Sequence, residues 1–266
     1  MPYNGVPYNG VPYNRLLLYL YFLSDLLDSM TTKIQNFVYS PSVAENIKNF
    51  DPNVKIINVM CDPVRRIYSD FLHINRETPA LATMDRFQSQ VLEGIANIKQ
   101  KQQRIDNENL SWEYLWHEED FKFVTRTMTS FSKVILRSCY SIFIKTWYQL
   151  FGRYGRLPNN EMSHGNFLNV DGTRLYSDPG NLLVEVQEFL GLPIALTEDN
   201  FYFDESRGLY CSINFKGKPT CPGKDKGRSV NAEVPEDLKQ KLREVLRPFT
   251  QEMEELENTK YDNWTW

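Results

Sequence analysis

The stretch Ile56-Ile57-Asn58-Val59-Met60-Cys61-Asp62-Pro63-Val64-Arg65-Arg66-Ile67-Tyr68-Ser69-Asp70 decides the fold. Its first five residues are an apolar run that predicts a buried strand. Asp62 then fits a helix N-cap. Pro63 stands at the first helical position, where its fixed φ and missing N–H do no harm. A strand feeding a helix start gathers backbone N–H groups and the positive dipole end in one place, which suits an anion. Ser69, about two turns into the helix, adds a hydroxyl. The expected ligand is a phosphate or a sulfate ester.

Outward from this junction the pattern alternates. Asp51-Pro52-Asn53 reads as a turn, preceded by a short helix from Val43 to Asn49 and an extended segment from Lys33 to Tyr39. The helix from Pro63 runs through Leu72. Another contains Phe87, Val91 and Leu92, and residues 99–107 are polar and read as exposed. From Met128 to Phe151 a helical stripe carries Phe131, Ile135, Tyr140, Phe143 and Trp147. Phe167 to Val170 predicts a short strand and Asp171-Gly172 a turn. A helix opens at Pro179 and closes at Gly191. From Leu238 to Leu256 the pattern is helical again, with Pro248 expected to kink or divide it. Helices between short strands predict an α/β protein, a three-layer α/β/α sandwich around a parallel sheet.

The chain of 266 residues has room for one large α/β domain, and 41% apolar residues supply its core. Aromatic residues, at 14%, leave some for a stacking surface. A net charge of -4 argues against a general nucleic-acid binder, although a basic patch lies near the C-terminus. Residues 1–30 differ from the rest. Three Pro-Tyr-Asn units precede Leu16 to Leu27, an apolar stretch too short to cross a bilayer. An amphipathic helix suits it better than a signal or an anchor, since no cleavage motif follows. The globular part is expected over residues 31–266.

Cys61 and Cys139 read as small buried apolar residues. Cys211 and Cys221 bracket a polar loop containing Gly217 and Pro219. They are either two free thiols or a disulfide closing about ten residues, which would stabilise by about 3 kcal/mol and imply a secretory lumen. The three histidines, at 73, 117 and 164, lack the spacing of a closed zinc site, so no metal is expected. No Gly-rich loop ending in Lys-Ser or Lys-Thr appears, which argues against a nucleotide kinase.

Four ordered segments resemble the sulfotransferase domain of the heparan sulfate glucosamine 3-O-sulfotransferases. Cys61 to Phe71 stands where that family has Arg-Asp-Pro-x-x-Arg-x-x-Ser-Asp-Tyr. Asp171-Gly172-Thr173-Arg174-Leu175 matches its Asp-Gly-x-Arg-Leu. Asn200-Phe201-Tyr202-Phe203-Asp204, then Gly208 to Cys211, matches a third motif, and Cys221 to Arg228 a fourth. The resemblance runs over roughly residues 31 to 256. It implies a P-loop NTPase-like sulfotransferase fold, here lacking its first strand and phosphate-binding loop. It also implies a Golgi enzyme, lumenal or membrane-attached and monomeric. Such an enzyme carries a sulfuryl group from 3'-phosphoadenylyl sulfate (PAPS) to the 3-OH of glucosamine in a heparan sulfate chain.

The resemblance assigns roles residue by residue. Ser69 would meet the donor's 3'-phosphate. Lys226, Gly227, Arg228, Ser229 and Val230 would wrap a donor phosphate within a run of five positive charges and one negative. Arg65 or Arg66 could reach the same phosphate. Lys33 is what remains of a Glu-Lys-Thr-Pro segment and would stand near the transferring oxygens. Trp147 and Lys145, with Arg153 nearby, would touch the sugar. Three departures stand out. The family's Lys-Gly-Gly-Thr-like loop and its general-base Glu have no counterpart in this sequence. Cys61 occupies the place of a donor-binding Arg. Ser141 and Phe143 replace two histidines. These departures predict a partial domain with poor turnover, and the alternative is an inactive relative that still binds anion or glycan.

Overall fold

A computed structural model describes residues 39, 41–115, 131–157, 159–213, 217–221, 234–262 and 264. The strand–helix junction that opens the sequence reading forms as expected. Strand β1 is Ile56–Met60, preceded by helix α1, Pro41–Phe50, and followed by helix α2, Pro63–Ile74. Then come α3, Met84–Glu108; α4, Ser132–Leu136; and α5, Ser141–Phe151. Strands β2 (Tyr154–Arg156), β3 (Met162–His164) and β4 (Phe167–Asp171) follow, then helices α6 (Arg174–Ser177) and α7 (Pro179–Leu190). Strands β5 (Phe201–Asp204), β6 (Leu209–Ile213) and β7 (Pro219–Thr220) precede the last helix, α8, Glu236–Glu257.

β1 and β4 pair in parallel, Ile56 opposite Phe167 and Met60 opposite Asp171. Their side chains alternate between two faces. Ile57, Val59, Leu168 and Val170 pack on Leu182, Val186 and Phe189 of α7. Ile56, Met60 and Phe167 face the other way, onto α1, α5 and α8 through Ala44, Ile144, Trp147 and Met253. Two helical layers thus enclose a parallel pair, the three-layer α/β arrangement. A second core joins α2, α3 and α8 around Phe71, Phe87, Leu242 and Leu246, each at most 1% exposed. Truncating either Phe there to Ala would cost about 3–5 kcal/mol.

Gly172 is fixed by close approach. Its N–H donates to the Met60 carbonyl, and a Cβ would sit 2.7 Å from that oxygen. Gly191 closes α7 at a φ of 70°, a conformation that suits glycine.

Three expectations change. The stripe from Met128 to Phe151 is not one helix: within its described part, Arg137–Tyr140 turn between α4 and α5, with Ser138 and Cys139 N–H groups reaching back three residues. Residues 99–107 belong to α3, and Ile105 is buried. Pro248 lies inside an unbroken α8. The apolar stripe Leu238, Leu242, Leu246, Phe249 and Met253 is continuous across it, so packing outweighs the one lost backbone bond. The antiparallel pairs β2–β3 and β5–β6–β7 were not anticipated. Among the described residues no helix is long and apolar enough to cross a membrane. The 1–30 segment and the Leu16 to Leu27 helix expected in it lie outside the described residues.

Candidate functional site

A cavity of about 360 Å³ opens at the carboxyl end of β1, the place where open α/β sheets take ligands. Met60 and Cys61 line it at the end of β1. Arg66, Ser69, Asp70 and His73 line it from α2, Tyr140 and Phe143 from the α5 side, and Tyr176 from α6.

The start of α2 corrects one expectation. Asp62 Oδ1 accepts the N–H of Val64 at 2.8 Å and of Arg65 at 3.1 Å, and the Asp62 carbonyl accepts Arg66 N–H at 2.9 Å. Asp62 is 3% exposed. The donors expected to greet an anion are therefore spent on the chain's own buried carboxylate, which also neutralises the helix dipole.

Arg66 is committed as well. It is 7% exposed. Nη1 donates to Ser138 Oγ at 2.9 Å, and Nη2 lies 2.9 Å from Asp70 Oδ2. Its guanidinium stands 5.8 Å from the Tyr39 ring, with Arg137 at 5.6 Å on the same ring. Burial works to lower its pKa, but Tyr39 and Asp70 hold it above the ordinary value. A permanent cation thus faces the cavity with one carboxylate already on it. Arg65 is exposed and lies 5.6 Å over the Tyr176 ring.

Ser69 is exposed on the cavity wall. Cys61 is half-buried there, and burial pushes its thiol pKa up despite Arg66. The group is thus a neutral thiol at pH 7. It brings no charge where the resembling family has an Arg. The Cys61 carbonyl accepts the Tyr140 hydroxyl at 3.0 Å.

Trp147 and Lys145, expected at the sugar, are both engaged within the protein. Trp147 is 2% exposed, stacked on Phe151 and tilted against Phe167, each at 5.6 Å, because the stripe it closes is the core face of α5. Lys145 is held by Glu113 at 2.9 Å and by Glu252. Burial opposes its charge, and the two carboxylates raise its pKa in net. Its ammonium is thus already paired with two carboxylates. Arg153 pairs with Glu257 at 3.0 Å, both side chains 9% exposed. Cys211 and Cys221 are bonded, S–S 2.08 Å and Cα–Cα 4.4 Å, across β6 and the end of β7. Lys33 and Lys226, Gly227, Arg228, Ser229 and Val230 lie outside the described residues, so their convergence with Ser69 is not described.

Sequence reasoning missed a half-buried polar chain. Asn58 on the cavity wall donates to Asn169 Oδ1 at 2.7 Å, and Asn169 Nδ2 donates to Glu257 Oε1 at 3.1 Å. Tyr148 also donates to that carboxylate. Burial pushes the Glu257 pKa up to about 8, against the pull of the Arg153 guanidinium 3.0 Å away. The two Asn side chains sit opposite each other in the β1–β4 register, and the polar residue inside each apolar strand was the available signal.

Residues 41–260 match the family described as Sulfotransferase domain. The chain is 27% identical over 219 residues to the mouse (Mus musculus) protein named heparan sulfate glucosamine 3-O-sulfotransferase 6, covering 82% of this chain and 51% of that one. It is 27% identical over 223 residues to human (Homo sapiens) heparan sulfate glucosamine 3-O-sulfotransferase 3B1, covering 82% and 45%. The chain thus spans about half the length of these relatives. A crystal structure of a sulfotransferase from Alicyclobacillus acidocaldarius aligns with a TM-score of 0.48 at 15% identity, covering 86% of this chain and 65% of that one.

Proposed function

We propose that this chain, which belongs to the sulfotransferase domain family, binds 3'-phosphoadenylyl sulfate at the cavity beyond β1 and serves sulfuryl transfer to the 3-OH of glucosamine in heparan sulfate. The observation that carries the reading is Ser69, held by α2 on the wall of that cavity at the carboxyl end of a parallel strand. In the proposed reaction the acceptor oxygen attacks sulfur, its proton passes to a base, and the S–O bond to the nucleotide phosphate breaks. Ser69 donates to the 3'-phosphate. The segment from Lys226 to Val230 supplies further donors, with Lys33 beside the transferring oxygens. The Cys211–Cys221 bond suits an oxidising compartment such as the Golgi lumen. No metal enters this scheme, and the acceptor is a polyanion bound by a monomer.

A second reading is favoured by Cys61. A neutral thiol replaces a cation, and Arg66 is held by Asp70 and Ser138. Donor binding is then weak and turnover low, leaving a protein that captures anion or glycan. One experiment separates the two readings. Purified chain is given radiolabelled PAPS and heparan sulfate, and the affinity for the desulfated nucleotide is measured beside it. Labelled 3-O-sulfate in the product supports the first reading, and nucleotide or glycan binding without label supports the second. Neither binding nor label defeats both.

A further inference from the structure

We propose that Trp264 and Tyr140 are positioning residues that lock the carboxyl ends of β1 and β4 at the mouth of the cavity, an inference resting on the reading of that cavity as the donor site. Six residues close a ring of contacts there. Trp264 Nε1 donates to Asp171 Oδ1 at 3.1 Å. Asp171 ends β4, and the next residue, Gly172, donates its N–H to the Met60 carbonyl at the end of β1. Cys61 follows Met60, and its carbonyl accepts the Tyr140 hydroxyl at 3.0 Å. The Tyr140 ring then meets the Trp264 ring edge-on at 5.9 Å, completing the circuit.

The ring matters because of where it lies. Cys61 stands one residue past the β1–β4 register, where no ladder bond from the described residues fixes the chain. Strand ends open more readily than strand centres. Met60, Cys61 and Tyr140 all line the cavity, so a shift of this backbone changes the cavity directly. The Asp171 carboxylate is further held by Thr173, whose N–H and hydroxyl donate at 2.9 and 2.7 Å. Trp264 is itself anchored, stacked on Tyr261 at 3.9 Å and 11°. Its N–H donates to the Tyr261 carbonyl at 2.9 Å. A residue from beyond α8 therefore joins two strands and the entry of α5, segments far apart in sequence.

The test uses the whole chain and the variants Tyr140→Phe, Trp264→Phe and Trp264→Ala. Three quantities are read: the iodoacetamide alkylation rate of Cys61 by peptide mass spectrometry, the affinity for 3'-phosphoadenosine 5'-phosphate, and the melting temperature. Cys139, buried at 0% exposure, is the internal reference for global opening. Tyr140→Phe and Trp264→Ala should alkylate Cys61 about fivefold faster or more and bind the nucleotide about fivefold to tenfold more weakly, with Cys139 unchanged. Trp264→Phe keeps the stack and loses only the indole bond, so it should fall between. The proposal is overturned if Cys61 reactivity stays within about twofold of wild type. It is equally overturned if Cys61 and Cys139 rise together as the melting temperature drops, the mark of a merely structural role. Wild type that binds no nucleotide, with the Cys61 pattern as expected, sinks the donor reading and leaves the lock standing.

Discussion

Cys61→Arg should raise the affinity for 3'-phosphoadenosine 5'-phosphate. Cys61 is half-buried on the wall of a cavity of about 360 Å³, which leaves space for a guanidinium. The bond that fixes its backbone runs from Tyr140 to the carbonyl, so changing the side chain leaves that bond in place. A hydrogen bond to a charged group contributes about 1.5–3 kcal/mol. Ordering an Arg side chain opposes this, by at most about 2 kcal/mol and less for a preorganised fork. Repulsion from Arg66 is blunted because Asp70 lies 2.9 Å from its Nη2. A net gain of about 1 kcal/mol, roughly fivefold in affinity, is expected. Titration calorimetry at low and raised salt measures it, and the gain should shrink with salt because the site is open to solvent. Cys61→Met controls for bulk without charge. If the Arg variant binds within about twofold of the Met variant, the cavity is not where the phosphate sits.

Ser69→Ala should weaken nucleotide binding about tenfold, one hydrogen bond to a charged acceptor, and leave the melting temperature unchanged because the side chain is exposed. Glu257→Gln should change the pH dependence of stability. The folded carboxyl is pushed from 4.5 up to about 8, so the unfolded chain releases this proton first and wild type loses stability as pH rises through that window. The difference between wild type and variant in denaturant titrations should therefore slope with pH between those values and be flat outside them. Cys211→Ser should lower the denaturant midpoint by the equivalent of about 3 kcal/mol, the constraint on a ten-residue separation. Reduction of the wild type should match it.

Much of this fold is written locally. The β1–α2 junction was legible because an apolar run, a capping Asp and a Pro at the first helical position act over neighbouring residues. α7 was legible at both ends, from Pro179 to the Gly191 cap. β2, β3 and β7 were not, since two or three residues are too few to show alternation. The break between α4 and α5 was hidden by a stripe that stays apolar through it. One of its turn residues, Ser138, is bonded to Arg66, a tertiary partner that no local pattern reveals. The same holds at the site. Ser69 could be found from its spacing after Asp62, and Arg66 with Asp70 from the four-residue interval. That Lys145 is held by Glu113 and Glu252, and that Trp264 reaches Asp171, depends on distant segments meeting.

The capping Asp explains why the proposed anion site must differ from one built on a bare helix start. A free N-terminus offers several N–H donors and about half a positive charge. Here Asp62 takes two of those N–H groups through one carboxylate oxygen, and its carbonyl takes a third. The carboxylate sets a full negative charge beside the cavity. Among the described residues Arg66 is the one Arg or Lys on the cavity lining, and its charge is shared with Asp70; Arg65 and Arg137 lie over the Tyr176 and Tyr39 rings. Asp62 and Asp70 thus set two acidic groups beside the one Arg that lines the cavity. A phosphate would enter against that balance. Cations must then arrive from elsewhere, either at position 61 itself or from the segment holding Lys224, Lys226 and Arg228. This is why the single neutral thiol at Cys61 weighs so heavily: at a site whose helix donors are already spent, one missing guanidinium is a large share of the available positive charge.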